Sequence, residues 1–314
     1  MPAPRRTLRV TTRNATFQQW ESLLGNRRAR HRAGEFLVHG VRPIDQALAH
    51  GWPVRALLRP LGGRPSEWAA GVWAGGGGER FEVAPALLAE LAQREDERTE
   101  LVAVVGMPAD DLGRVTGSAG SAAAAGSAGS AAAAGSEGAS VRRGGSVVEA
   151  AAGAPRARPP LVTVFDRPGQ PGNIGTLQRS IDAFGGTGLV VTGHAADPYD
   201  PKAVRASTGS CFAVPTVRAD SAQPVLDWVQ EQREAGVPMQ VWGTDEHGET
   251  DLAAVPWERP TVLVLGNETR GMAKAWRDAC DGVLSIPMVG SASSLNAAVA
   301  GSIVLHAAMR GRWR

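Results

Sequence analysis

Residues 117–134 repeat the nonapeptide Gly-Ser-Ala-Gly-Ser-Ala-Ala-Ala-Ala twice, and Gly-Ser-Glu-Gly-Ala-Ser follows at 135–140. This stretch has no large apolar side chain, so it cannot bury enough surface to offset the conformational entropy of ordering. It divides the 314-residue chain into two segments, each of which must build its own core. Treated as a random coil, the 24 residues from 117 to 140 span roughly 27 Å, a loose tether between domains. Alanine favours transient helix, but glycine and serine interrupt each tetra-alanine block before a turn closes. The expected organisation is a first domain over 1–110, a flexible Gly/Ala/Ser-rich linker over 111–158 and a second domain over 159–314.

Downstream of the linker, apolar runs alternate with helical segments in the pattern of a parallel α/β sheet. Leu161 to Phe165 is one such run. Residues 166–172, Asp-Arg-Pro-Gly-Gln-Pro-Gly, break it into a loop before a helix with Ile174, Leu177, Ile181 and Phe184 at helical spacing. Further strands are expected at 189–191, 239–242, 261–265 and 283–286, with a closing apolar helix over 295–309. Upstream, Glu-Phe-Leu-Val-His-Gly at 35–40 reads as a strand and turn, and 41–50 as a helix with Ile44, Ala47 and Leu48 on one face. Strands at 54–58, 81–83 and 101–105, separated by helices such as 85–92, complete a small α/β domain.

Composition narrows the class. Hydrophobic residues make up 43% of the chain, enough for two ordinary cores. No run approaches the roughly 18 apolar residues of a membrane span, and Met-Pro-Ala-Pro-Arg-Arg-Thr lacks the apolar core of a signal peptide. A cytoplasmic protein without a membrane partner is the expectation. Cys211 and Cys280 form neither a metal-ligand pattern nor a disulfide framework and read as buried thiols, and no histidine pairing suggests a metal. The net charge of +2 hides an asymmetry: residues 1–60 carry eleven arginines against Glu21, Glu35 and Asp45. Such a segment, with Arg27, Arg28, Arg30 and Arg32 close together, suits a nucleic-acid backbone. Lys202 and Lys274 are the only lysines, so composition bias explains arginine over lysine, but it does not explain the clustering.

Three short motifs carry the candidate chemistry. Asn173 stands near a helix start, where it can cap the helix or bond a ribose, and Gly175 admits close approach of a backbone or substrate. Arg179, six residues on, is read as sharing that heading. Leu-Gly-Asn-Glu-Thr-Arg-Gly at 265–271 follows a strand and opens a helix, the place where open α/β folds bind ligands. There Gly266 permits close approach, and Glu268 can hold Asn173 or Arg179 or bind substrate. Ser-Ile-Pro-Met at 285–288 is a strand ending in a stiff bend, and the small residues 290–294 feed Leu295-Asn296 and the last helix. A loop so small and polar between apolar elements has little packing purpose. At 198–210, Lys202 and Arg205 would share a helical face open to RNA phosphates.

Asn-Ile-Gly-Thr-Leu-Gln-Arg at 173–179, Leu-Gly-Asn-Glu at 265–268 and Ser-Ile-Pro-Met-Val-Gly-Ser-Ala-Ser-Ser-Leu-Asn at 285–296 together resemble the motif set of the SpoU/TrmH family of RNA 2′-O-methyltransferases, within the knotted SPOUT class. The likeness covers roughly 159–310. More loosely it covers the segment before 110, where Phe-Leu-Val-His-Gly followed by Ile-Asp-Gln-Ala-Leu is similar to the SpoU substrate-binding module. The resemblance implies a C-terminal α/β methyltransferase domain with a parallel sheet and a deep trefoil knot, preceded by a small α/β RNA-binding domain. It implies S-adenosylmethionine as cofactor, held by Gly266, Ile286, Met288 and Leu295, and a catalytic set of Asn173, Arg179, Glu268, Ser294 and Asn296. It also implies a homodimer in which Arg179 of one subunit works beside the cofactor of the other, with Val299, Ile303 and His306 of the closing helix at the interface. The family usually assigns the matching arginine the activation of the ribose hydroxyl. Arginine is always protonated in proteins, so orienting the hydroxyl or phosphate and stabilising developing charge is the role preferred here. The chain departs from the pattern at Thr269, where many relatives carry glycine. Ribosomal RNA is favoured as substrate over transfer RNA. The alternatives are a transfer RNA 2′-O-methyltransferase, a base methyltransferase of the same class and a non-catalytic RNA-binding protein that keeps the fold.

Overall fold

The computed structural model describes residues 6–93, 99–116 and 158–312. The alanine-rich repeats and the rest of the expected linker from 117 to 157 lie outside the described residues, as does Arg5. The first half runs β1 (Thr7–Val10), α1 (Ala15–Gly25), α2 (Arg27–Ala33), β2 (Glu35–His39), α3 (Val41–Ala49), β3 (Val54–Pro60), α4 (Glu67–Gly75), β4 (Glu79–Val83), α5 (Pro85–Ala92) and β5 (Val102–Gly106). Its sheet has the order β1-β4-β3-β5-β2, with β1, β4 and β3 parallel and β5 antiparallel to both its neighbours. The second half runs β6 (Leu161–Asp166), α6 (Pro171–Phe184), β7 (Gly188–Thr192), α7 (Pro201–Ser207), α8 (Ser210–Ala213), β8 (Thr216–Ala219), α9 (Gln223–Glu234), β9 (Gln240–Thr244), β10 (Thr250–Asp251), β11 (Thr261–Leu265), α10 (Lys274–Ala279), β12 (Gly282–Ser285) and α11 (Ala297–Arg312). These strands form a wholly parallel sheet in the order β10-β12-β9-β11-β6-β7-β8.

The strands at 35–39, 54–60, 102–106, 161–166 and 261–265 fall where apolar runs place them, because strands covered on both faces must be apolar throughout. Two apolar layers sandwich the seven-stranded sheet: Leu161, Leu177, Ile181 and Leu305 belong to one, and Val162, Val225, Val264 and Trp276 to the other. Helices α1 and α2 follow one another because Asn14 and Asn26 each accept a backbone N–H of the first turn, from Phe17 and Ala29. Residues 112–116, grouped by composition with the linker, form a 3₁₀ turn whose Val115 is buried in the second half's core.

The two halves are not loosely tethered. An apolar cluster joins Phe36, Ile44 and Leu57 of the first sheet's outer layer to Tyr199, Val204, Cys211 and Phe212 of the second half. Within it, Trp52 and Phe212 meet edge to face at 5.1 Å, and the Trp52 indole donates to the Phe212 carbonyl at 3.0 Å. At the margin Arg30, only 2% exposed, donates through Nε to Asp197 at 2.8 Å and through Nη1 to the Leu23 carbonyl at 2.7 Å. Composition alone treats a Gly/Ser/Ala linker as a measure of domain freedom, but the freedom is set by the surface the domains bury against each other.

Arg30 therefore anchors the interface and is not available to RNA, which corrects the expectation for this residue. A partner for a buried charge lies 167 residues away in sequence, beyond any local pattern. Arg30→Met should leave Asp197 buried and uncompensated, lowering stability by about 3–5 kcal/mol in urea unfolding. The double variant Arg30→Met/Asp197→Leu should regain most of the loss. A single variant as stable as the parent would refute the anchor.

Candidate functional site

In-register pairing of β6 with β11 sets Phe165 opposite Leu265, and β7 brings Thr192 opposite Asp166. The loops that leave these strands at their carboxyl ends are thus neighbours, and Asp166 ties them together. Its buried carboxylate accepts from the Thr192 hydroxyl at 3.1 Å, the Arg167 guanidinium at 2.9 Å and the Ala273 amide at 2.8 Å. Arg167 adopts a left-handed φ of 52° and also donates to the Gly271 carbonyl at 3.0 Å. Asn267 closes the opposing loop on itself: its side-chain oxygen accepts from the Thr269 and Arg270 amides at 2.9 and 3.0 Å, and its amide donates to the Arg167 carbonyl at 2.6 Å. These bonds give the loop at 265–271 a fixed shape with threonine at 269.

On this frame the three motifs meet. Glu268 accepts from the Asn173 amide at 2.9 Å and from the Gly169 backbone at 3.1 Å. The Asn173 oxygen in turn accepts from the Asn296 amide at 3.1 Å. Asn296 uses its own oxygen to cap α11, accepting from the Ala298 amide at 2.9 Å. Glu268, Asn173 and Asn296 are therefore one hydrogen-bonded chain, and the direction of each side-chain amide follows from its neighbours. Of the two partners considered for Glu268, the structure selects Asn173. Desolvation pulls the Glu268 carboxyl upward, but the bonds from Asn173 and the Gly169 backbone outweigh it and hold the group below its ordinary value, so it stays ionised.

Beside this chain lies a cavity of about 540 Å³, lined by Gly266, Ile286, Met288, Ser294, Leu295 and residues 244–247. Met288 and Leu295 leave 38% and 36% of their surface exposed, which gives the cavity apolar walls next to the polar loop 266–271. That mixture suits a ligand with a flat apolar ring system and a polar tail. The glycine at 266 is required for a different contact from the one expected. A Cβ there would lie 2.5 Å from the Gly271 carbonyl carbon and the Met272 nitrogen, so its bareness serves the chain's own backbone. The same holds at Gly175, where a Cβ would meet the Ala203 carbonyl oxygen at 2.1 Å, because α7 packs against α6 there.

Arg179 is not part of this cavity. Six residues advance a helix by about 600°, which leaves Arg179 about 120° from the Asn173 heading, so the expectation of a shared heading is corrected. Its exposed side chain lines a separate groove of about 470 Å³ with Ser180, Asp182, Thr208, Ser210 and, from the first half of the chain, Arg42. Arg28 and Arg32 are exposed on α2, whereas Arg27 is half-buried and donates to the Ala195 carbonyl at 2.7 Å. Lys202 and Arg205 are exposed on α7, and Arg205 also donates to Gln93 at 3.2 Å. The residues missed by sequence reasoning are Asp166, Arg167, Asn267 and Arg42. The first three flank or sit within quoted motifs and lacked only a partner to reveal them; nothing local marks Arg42. Cys211 is buried and Cys280 half-buried, and burial pushes both thiols up to about 12. Among the described residues no cluster of His, Cys, Asp and Glu could hold a metal ion.

The chain matches known proteins along nearly its whole length. The SpoU rRNA methylase family profile matches residues 160–306, and that of the SpoU L30e-like domain matches residues 14–103. A 23S rRNA (uridine(2479)-2′-O)-methyltransferase of Streptomyces viridochromogenes is 47% identical over 311 residues, covering 99% of this chain and 94% of that protein. The crystal structure of the SpoU methyltransferase AviRb from the same organism, in complex with the cofactor AdoMet, superposes with a TM-score of 0.80 at 47% identity. The match covers 96% of this chain and 99% of that one. An AdoMet-bound rRNA methyltransferase from Sinorhizobium meliloti gives a TM-score of 0.73 at 25% identity, covering 97% and 98%.

The hydrogen-bonded chain makes a local prediction. Glu268→Ala should free Asn173 and the Gly169 amide at about 1.5–3 kcal/mol per lost charge-assisted bond, seen as faster hydrogen exchange at Gly169 and across 267–271. Unchanged exchange would show that Asp166 and Asn267 hold the loop alone. Because the folded carboxyl titrates below its ordinary value of 4.5, its contribution is complete above that pH and is lost as the pH falls through the folded value. Protection in the parent protein should therefore decline only in that acidic window, and the Glu268→Ala variant should lack this decline.

Proposed function

Since this chain belongs to the SpoU rRNA methylase family, we propose that it transfers a methyl group from S-adenosylmethionine to a ribose 2′-hydroxyl of ribosomal RNA, in 23S rRNA. The observation that carries this reading is the chain Glu268–Asn173–Asn296, which joins all three motifs at the edge of the 540 Å³ cavity. The likeness to the 23S rRNA 2′-O-methyltransferase over 99% of the sequence supports the substrate. When bound, S-adenosylmethionine supplies an electrophilic methyl on a sulfonium whose departure needs no protein acid or base. Ile286, Met288 and Leu295 would flank its apolar parts, and the loop at 266–271 would face its polar ones.

The protein's contribution is positioning and charge stabilisation. Asn173, fixed by Glu268 and Asn296, offers a preset amide to the ribose. Arg179 stays protonated, so it orients the hydroxyl or its phosphate and stabilises negative charge as the oxygen attacks, and the proton leaves to water. Within one chain Arg179 and the cofactor cavity are separate. That separation supports a homodimer in which each cavity is completed by the partner subunit. Val299 and Ile303, 46% and 38% exposed on α11, supply an apolar face for it. Residues 1–110 then form the RNA-binding domain, with Arg28 and Arg32 as phosphate contacts, and 159–314 the catalytic domain beyond the linker, where Lys202 and Arg205 add further phosphate contacts. Membership of the SpoU family supports the deep trefoil path of the SPOUT class for the second half. No helix among the described residues is long and apolar enough to cross a membrane; a ribosomal substrate supports a cytoplasmic location for the enzyme.

Incubating 23S rRNA with the protein and labelled S-adenosylmethionine, followed by mass mapping of ribose methylation, tests this directly. One new 2′-O-methyl mark is expected; a methyl on a ring nitrogen, or cofactor binding without transfer, would overturn it. Arg179→Ala should reduce turnover by at least about a hundredfold, the scale of a lost transition-state donor, with cofactor affinity kept. Mixing inactive Arg179→Ala and Gly266→Trp chains should restore about one quarter of the activity if sites are shared across a twofold. Absence of recovery on mixing would place each complete site within one chain.

A further inference from the structure

A second cavity, in the first half, shares no lining residue with the motifs and lies where β3 and β4 end and antiparallel β5 begins. It encloses about 710 Å³ between the loop at 60–65, the face of α4 that carries Trp73, the start of α5 and residues 99–101. Nothing in the methyl-transfer chemistry uses it. Its walls combine flat apolar surfaces with a small number of fixed polar groups, the make-up of a small-molecule site.

The Arg59 guanidinium lies 4.2 Å from the centroid of the Trp73 ring, giving a stacked indole–guanidinium platform at one side. Arg59 Nη2 is held by Glu82 at 2.7 Å, and the other oxygen of that carboxylate accepts from Arg9 at 3.2 Å, so Glu82 is neutralised where it stands. Glu100 is fixed differently. One oxygen accepts from the Ser66 amide at 3.1 Å and the other from the Ser66 hydroxyl at 2.8 Å. Each oxygen keeps a further lone pair, and there is no arginine on this carboxylate among the described residues. At the mouth, Gly62 and Gly63 take φ values of 74° and 85°, and the exposed Arg64 has no partner among the described residues.

Inside, Arg59 is already bound to Glu82 and Glu100 brings a second carboxylate, so the charge there disfavours a phosphate group. A neutral planar ring with hydrogen-bond donors on one edge fits instead, with its phosphate outside beside Arg64. Resting on the reading of this chain as an RNA-modifying enzyme, we propose that the cavity receives one unpaired guanine base of the RNA, stacked on the Trp73–Arg59 platform. Its N1–H and N2–H donors would meet Glu100. A carboxylate facing two adjacent donors distinguishes guanine from adenine, which offers an acceptor where guanine offers N1–H. The first domain would then read a base at a distance from the methylated ribose instead of only gripping the backbone, adding a specificity determinant to the proposed reaction.

The test is an equilibrium titration of guanosine 5′-monophosphate into the full-length protein with the cofactor cavity filled by S-adenosylhomocysteine, and adenosine 5′-monophosphate as the comparison. Saturable binding of the guanine nucleotide, tighter than the adenine one and weakened about tenfold by Glu100→Gln, is expected for loss of a bidentate contact. Arg64→Ala, at an exposed position outside the core, should weaken the nucleotide but not guanosine itself. Equal affinity for both bases, unchanged affinity in Glu100→Gln, no saturable binding, or binding of a proline-rich peptide in place of the nucleotide would each overturn the proposal. Methylation of 23S rRNA is measured separately. Transfer without guanine binding sinks the pocket alone, and guanine binding without any transfer sinks the enzyme reading alone.

Discussion

The ion pair between Arg30 and Asp197, both nearly sealed from solvent, is the constraint on which the rest of the architecture depends. An arginine that leaves water needs a charged partner and further acceptors, and here Asp197 and the Leu23 carbonyl supply them. That pairing ties helix α2 to the second half of the chain. Once it is made, Trp52, Phe36, Tyr199 and Phe212 close into one aromatic cluster. The first sheet then shares a core with α7 and α8 of the second half, and Arg42 of the first half comes to line the same groove as Arg179. A first half held in place can present a bound molecule at a set distance from the second half's cavity, which a domain hanging on a coil could not.

A second layer of constraint operates at the carboxyl ends of β6 and β11. Asp166 and Asn267 satisfy the loop amides that the sheet leaves unpaired, and Glu268, Asn173 and Asn296 are oriented on top of them. Each amide in that chain has one direction in which all its bonds are made. Catalysis by positioning requires groups that do not reorganise when the substrate arrives, and a satisfied network provides that stiffness. The glycines serve the same end from the inside: Gly266 and Gly175 admit backbone rather than ligand, bringing the layers close enough for the polar chain to close.

The strands were legible because buried parallel strands need unbroken apolar runs, and 161–165 and 261–265 are such runs. The helix at 171–184 was legible from Ile174, Leu177, Ile181 and Phe184 at helical spacing. It starts at Pro171, however, inside the stretch expected as loop, so Asn173 lies in its first turn and Gln170 holds the N-cap position. Weaker elements escaped notice. β1 at Thr7–Val10 has one buried residue in four, and β8 at Thr216–Ala219 is a short edge strand, so neither carries a pattern of its own. Among the site residues, Asn173, Glu268 and Asn296 were found as motif members, whereas Asp166 and Asn267 looked like ordinary loop residues. Their importance lies in carbonyls and amides about a hundred residues away in sequence.

By itself the sequence determined the two α/β halves, the low-complexity segment between them and the three motifs, because hydrophobic periodicity and loop chemistry are written locally. It could not show that Arg30 is an interface anchor while Arg28 and Arg32 face solvent, since an arginine reads the same whether its partner is a phosphate or a buried aspartate. Nor could it separate Arg179 from the cavity lined by Gly266, Ile286 and Leu295. That depends on the rotation of a helix within a packed layer and on which strands it covers. Tertiary structure decided those points because burial, not residue type, sets what a charged side chain must pair with.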